Sequence, residues 1–165
     1  MESLINWFTV TLDGVVSKEA IVFLISMVPI LELRGGLIAA KLLGIPLFTA
    51  DLLCVIGNII PVPFILLFIT PIFNWLKHTS LFRPMVEKLE TKAMGKKEQI
   101  EKYQFWGLLL FVGIPLPGTG AWTGSLIASL LNIPFKKAFP ATILGILLAC
   151  LIVDILSYGL LGIFL

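Results

Sequence analysis

The sequence predicts an all-α integral membrane protein, built as an inverted repeat of two units. Each unit is a broken, re-entrant helical hairpin followed by a long transmembrane helix. Three observations predict it. The 165 residues are 58% hydrophobic and 13% charged, with a mean hydropathy of +1.04. A soluble domain carries about 25% charged residues, so this chain lacks the polar side chains to cover a water-facing surface. Few of its apolar stretches reach the ~20 residues that a spanning helix needs. Two are interrupted by helix-breaking residues, at "PILELRGG" and "PLPGTG".

The elements follow in order within a single membrane domain, 1–165. Residues 1–16 are expected to form an interfacial amphipathic helix, because Leu4, Phe8, Leu12 and Val15 recur at helical spacing over a stretch too short to span. The first repeat is placed at 18–78. Ala20 to Leu31 is a short arm, "ELRGG" interrupts it, and Leu37 to Leu43 resumes. Residues 46–76 are long enough to cross, with a kink expected at Pro61 and Pro63. Residues 79–103 mix lysines with Glu87, Glu90, Glu98 and Glu101, and are expected to form a solvated helical hairpin or loop. The second repeat, 104–165, opens with a short arm from Phe105 to Ile114. "PLPGTG" breaks it, Ala121 to Ile133 forms a second arm, and a long apolar segment begins at Pro134.

Sliding the chain against itself supports the repeat. At an offset of 88, residues 23–57 and 111–145 share ten identities in 35 positions. Phe23 falls on Phe111, Pro29 on Pro117, Gly36 on Gly124 and Gly57 on Gly145, while "LLGIP" falls on "LLNIP". A hairpin returns to its own side and one long helix changes sides, so the second unit is inverted. Nine of the twelve basic residues then share one face: Lys77, Arg83, Lys88, Lys92, Lys96, Lys97, Lys102, Lys136 and Lys137. The positive-inside rule makes that face cytoplasmic in a multi-pass protein of the cell membrane, with the carboxy terminus outside.

Two breaks at equivalent places in inverted halves point to a site near the bilayer midplane. The second arm of each hairpin starts at its tip, so its free N–H groups suit an anion. At the first tip Glu32 could take up a proton and Arg34 could grip an anionic group with its guanidinium fork. The competing structural reading is that the two neutralise each other and brace the tip. At the second tip Thr119 and Thr123 offer hydroxyls, Trp122 an apolar face with one donor, and Pro117, Gly118 and Gly120 an exposed backbone. Gly35, Gly36 and Gly124 also suit close packing between arms. Asp51 and Asp154 are secondary candidates. Cys54 and Cys150 read as small buried hydrophobes. His78 is the only histidine, which argues against a histidine-based metal site or a Ser-His-Asp triad, and no metal or cofactor is expected.

The stretches "ELRGG" and "PLPGTGAWTGSLIA" resemble the small multi-drug export protein family of bacteria and archaea, over about residues 20 to 160. That family is distantly similar to the DedA-like membrane proteins, which have paired re-entrant hairpins. The resemblance implies importance for Glu32, Arg34, Gly35, Gly36, Pro117, Gly118, Thr119, Gly120 and Thr123. It departs from the DedA pattern in the second hairpin, where Trp122 and Thr123 stand and no arginine is found. The expected function is a small transporter, not an enzyme, coupled to an ion or proton gradient. It would move a drug-like compound or a phosphate-headed lipid. An intramembrane lipid-phosphate enzyme or a non-transporting scaffold are the alternatives. Membrane lipids and an amphipathic or anionic small molecule are the expected partners, with no nucleic acid. A chain this short is compatible with a homodimer.

Overall fold

The computed structural model describes residues 16–79, 83–94 and 104–156, and among these every regular element is a helix. They are α1 (Lys18–Met27), α2 (Glu32–Leu42), α3 (Leu47–Ile59), α4 (Pro61–Lys77), α5 (Arg83–Met94), α6 (Phe105–Gly113), α7 (Ala121–Leu130) and α8 (Phe135–Asp154). The interfacial helix expected at 1–16 and the end of the chain beyond residue 156 lie outside the described residues, apart from Val16.

Sequence sets the helix ends in recognisable ways. Ser17 caps α1, its hydroxyl accepting from the Ala20 N–H at 3.3 Å. The twin "LLGIP" and "LLNIP" segments are two copies of one helix stop. Gly44 and Asn132 take left-handed φ angles of 70° and 54°. The next residue in each turns its N–H back into the helix, Ile45 to Ala40 O and Ile133 to Ala128 O, both at 2.9 Å. That is a Schellman closure, and the proline that follows starts the next helix. The kink expected at Pro61 is a one-residue turn at Ile60 between α3 and α4. Residues 47–77 still run as one apolar stretch, and this stretch and Phe135–Asp154 are both long and apolar enough to cross a membrane.

In each half the first short helix packs against the second and against the long helix, α1 on α2 and α3, α6 on α7 and α8. The halves meet where α8 touches α2, α3 and α4, and where α4 touches α7. The core along these contacts includes Ile21, Ile25, Leu33, Leu108, Ile127 and Ile146, all essentially buried. The opposite faces remain apolar and exposed: Phe48, Leu52 and Ile56 on α3, Phe64, Leu67 and Phe68 on α4, Leu147 and Leu151 on α8.

The chain breaks earlier in the first hairpin than the glycines suggest. "ELRGG" is not the interruption; it is the first turn of α2, and the break is Val28–Leu31. Val28 is extended ahead of Pro29, the conformation a following proline favours, and Ile30 is left-handed at φ 80°. The expected offset of 88 between the two stretches shifts accordingly. The first arms end 86 residues apart, at Met27 and Gly113, whereas the long helices start 88 apart, at Leu47 and Phe135. Pro29 therefore corresponds to Pro115, and the second hairpin carries the longer tip loop.

Of the polar region expected as a solvated helical hairpin or loop, residues 80–82 and 95–103 lie outside the described residues, and Arg83–Met94 is helical. Within it α5 packs on α4 and α7, Val86 is fully buried, and Lys77 of α4 pairs with Glu90 at 2.6 Å.

Two glycines hold the long helices close to the short ones. A Cβ at Gly57 would sit 2.8 Å from the backbone oxygen of Phe23, and one at Gly145 2.8 Å from that of Leu109. Backbone cannot step aside as a side chain can. Gly57→Ala and Gly145→Ala are each expected to cost about 1–3 kcal/mol by overpacking. Thermal melts of purified protein in detergent would check this, with Gly44→Ala as a comparison in open space, where only the φ strain acts.

Candidate functional site

The two hairpin tips meet, and each supplies what the other lacks. α6 ends as Ile114 turns extended before Pro115. The loop that follows is folded by Thr119, whose hydroxyl lies 2.9 Å from Ile114 O and 2.8 Å from Leu116 O and accepts from the Leu116 N–H at 3.2 Å. Gly118 and Gly120 have φ angles of 77° and 137°, conformations that side chains strongly disfavour. Gly120 is the N-cap of α7 and carries no side chain to satisfy the first N–H groups of that helix.

Glu32 satisfies them from the other hairpin. Its carboxylate accepts from Ala121 N at 3.1 Å and Trp122 N at 3.0 Å, capping α7 from 89 residues away. Arg34, two residues on, donates to Leu116 O at 2.8 Å, Thr119 O at 3.3 Å and Thr119 Oγ1 at 3.1 Å. In return the Trp122 indole N–H donates to Met27 O, the last residue of α1, at 3.1 Å. Two bonds from Glu32, three from Arg34 and one from Trp122 make six links across the tips.

The first tip is strained to do this. Ile30 and Glu32 hold left-handed φ angles of 80° and 49°. For non-glycine residues this costs about 1–3 kcal/mol each and persists only where surrounding contacts enforce it. Glu32 is buried at 7% exposure, and its carboxylate bears the charge that an N-terminal helix end favours.

A cavity of about 360 Å³ opens between the tips, lined by Glu32, Arg34, Pro117, Gly118, Thr119, Trp122 and Thr123, together with Pro29, Ile30 and Leu31. Seven of the ten principal sequence-predicted residues thus share one wall. Gly120 stands directly against the Glu32 carboxylate. Gly35 and Gly36 do not line the cavity: a Cβ at Gly35 would press on Leu31, and one at Gly36 would collide with Ser26 and press on Cys54. They are packing glycines of α2.

Two expectations change in detail. The N–H groups of α7, expected to face an anionic ligand, are occupied by an internal carboxylate. Glu32 and Arg34 do not pair with each other either. The ion pairs within 4.0 Å among the described residues are Lys77–Glu90 and Arg83–Glu87, and the two tip residues spend their bonds on the opposite loop.

The secondary candidates meet elsewhere. Asp51 of α3 and Asp154 of α8 come together with Cys150, their ligand atoms all within 4.8 Å of one another. Cys150 Sγ lies 3.8 Å from Asp154 Oδ2, while Asp51 Oδ1 and Asp154 Oδ1 are enclosed without a hydrogen-bond partner. Cys150 reads in sequence as a plain hydrophobe; its i, i+4 spacing from Asp154 was the available signal. Met27 and Leu116, which act through backbone oxygens, carry no sequence signal at all.

A family model described as "Putative small multi-drug export protein" matches residues 32–152, nearly three quarters of the chain. The chain belongs to that family. The matched span begins at Glu32 and takes in the whole second tip. No curated protein and no solved structure matches the chain.

Proposed function

We propose that this chain is a small membrane exporter that passes an amphipathic substrate through the cavity between its hairpin tips. The supporting observation is the interlock itself. A carboxylate and a guanidinium, both expensive to place inside a membrane, are spent on holding two broken hairpins together around a cavity. A rigid scaffold could join the same helices with apolar side chains at less cost.

The membrane setting is supported by the apolar, exposed outer faces of α3, α4 and α8 and by the family's description. An inverted arrangement is supported by the matching order and contacts of the halves and by the clustering of basic residues between them. Here each hairpin is re-entrant, its short arms of 9 to 11 residues reaching about half-way across the bilayer at 1.5 Å per residue.

Coupling follows from the chemistry of the latch. Protonated Glu32 is a poorer cap for α7, since neutral acceptors form weaker hydrogen bonds than charged ones. Proton uptake therefore loosens the tips, and proton loss closes them. Asp51 and Asp154 offer a second place for a proton or cation, because with Cys150 they bring three ligand atoms within 4.8 Å of one another.

Proteoliposomes test the function. A cationic dye and a labelled lipid phosphate are offered with and without a pH gradient. Gradient-dependent movement of either is expected, abolished by Glu32→Gln. Failure of both to move would refute export. Cysteine-accessibility labelling checks the topology: positions 92 and 136 should share one face and 165 the other.

A further inference from the structure

Asp51, Cys150 and Asp154 stand apart from the hairpin tips. They line a cavity of about 340 Å³ that shares no lining residue with the cavity between the tips. Asp51 comes from α3 in the first half, Cys150 and Asp154 from α8 in the second, and their ligand atoms all lie within 4.8 Å of one another. The other described walls, Phe48, Leu52, Val55, Leu147 and Leu151, are apolar, so no basic side chain is among them. Lys137 stands at the opposite end of α8, about 25 Å from Asp154 at 1.5 Å per residue.

The cluster is short of donors. Cys150 has one S–H, and its sulfur lies 3.8 Å from Asp154 Oδ2. Asp51 Oδ1 and Asp154 Oδ1 are enclosed without a partner, and such atoms call for a water or an ion. Among the described residues five side-chain oxygens are in that position. Four of them, on Asp51, Asn58, Thr142 and Asp154, belong to α3 and α8. Asn58 and Thr142 are over nine-tenths buried, so the shortage runs along this helix pair beyond the cluster itself. A water would serve the oxygens alone. Cys150, 7% exposed and on the cavity wall, adds a sulfur that only a thiophilic cation uses together with them.

We infer that Asp51, Cys150 and Asp154 form a binding site for a thiophilic divalent cation of the zinc class, which ties α3 of one half to α8 of the other. Thiolate and carboxylate are both zinc ligands, and three protein ligands leave a fourth position open to the cavity. Tetrahedral zinc holds oxygen at about 2.0 Å and sulfur at about 2.3 Å, which sets its ligand atoms about 3.3–3.5 Å apart. The Cys150–Asp154 pair at 3.8 Å is nearly there, and the widest pair closes by no more than about 1.5 Å. On binding, the thiol proton passes to water and the thiolate takes the metal. Magnesium and calcium want six or more oxygens, which two carboxylates and a sulfur supply poorly. The site gives a chemical identity to the cation proposed at Asp51 and Asp154 above. Binding is measured without transport, so this inference and export can fail separately.

The test uses the full purified chain in detergent, titrated with Zn²⁺ and, as a spectroscopic probe, with Co²⁺. Saturable binding of a single Zn²⁺ per chain is expected, with no displacement by excess Mg²⁺. Bound Co²⁺ should show a sulfur-to-metal charge-transfer band, lost in Cys150→Ser and kept in Cys54→Ser, the other buried free cysteine. Asp51→Asn and Asp154→Asn should each raise the Kd for Zn²⁺ about 100-fold or more, since changes behind a metal ligand alone cost about 10- to 100-fold. Zn²⁺ should also raise the melting temperature of the native chain by mass action and leave that of Asp51→Asn unmoved, a comparison that shows both are folded. The site is overturned by any of three results: no saturable Zn²⁺ binding, a Co²⁺ complex without the sulfur band, or affinity that survives both asparagine variants. Mg²⁺ binding as tight as Zn²⁺ would overturn the part given to the thiol.

Discussion

Replacing Glu32 with alanine is expected to lower the melting temperature by roughly 5–10 °C, the equivalent of about 2–3 kcal/mol in a chain of this size. The substitution leaves the Ala121 and Trp122 N–H groups at the head of α7 without their acceptor. It also removes the contact that holds Glu32's own backbone in its left-handed conformation. Glu32→Gln should fall between alanine and the native residue. The amide keeps one oxygen for one N–H, but its NH₂ group would face the second donor. An unchanged melting temperature in Glu32→Ala, followed by intrinsic fluorescence in detergent, would show that the tips do not depend on this latch.

Gly120→Ala should be at least as damaging, at about 3 kcal/mol or more, because two costs fall on one methyl group. The φ of 137° is a glycine conformation, and the new Cβ would collide with the Glu32 carboxylate. The two costs can be separated by a double-mutant cycle. In Glu32→Ala the colliding carboxylate is gone, so adding Gly120→Ala should cost only the backbone strain, about 1–2 kcal/mol. Strict additivity of the two substitutions would mean that the side chain and the glycine do not meet.

The helices were largely legible because their signals are local. The apolar runs, the prolines at 29, 46, 115 and 134, and the paired "LLGIP" and "LLNIP" stops act within a few residues of themselves. They mark helix ends whatever the rest of the chain does. The place of the first break was misjudged for a reason equally physical. A glycine pair can end a helix or let two helices touch, and Gly36 does the second, facing Ser26 and Cys54. Pro29 and the left-handed Ile30 make the break instead. A glycine's role depends on what lies opposite its missing side chain, and its neighbours in sequence do not say.

The candidate residues were legible as a set but not as an arrangement. Glu32, Arg34 and the threonines and glycines of "PLPGTGAWTG" stand out because polar and flexible residues are costly in so apolar a chain. That economy is a property of composition, and sequence alone determined it, together with the helices. Which partner each residue takes was decided only by tertiary structure. Glu32 and Arg34, two residues apart, could have neutralised each other; at the tip they turn outward to a loop more than 80 residues away. The physical reason lies in the second hairpin. α7 begins at a glycine that cannot cap it, and the loop before it exposes carbonyls that need donors. A helix end with nothing of its own to close it draws a carboxylate from wherever the fold can bring one, and here the fold brings Glu32.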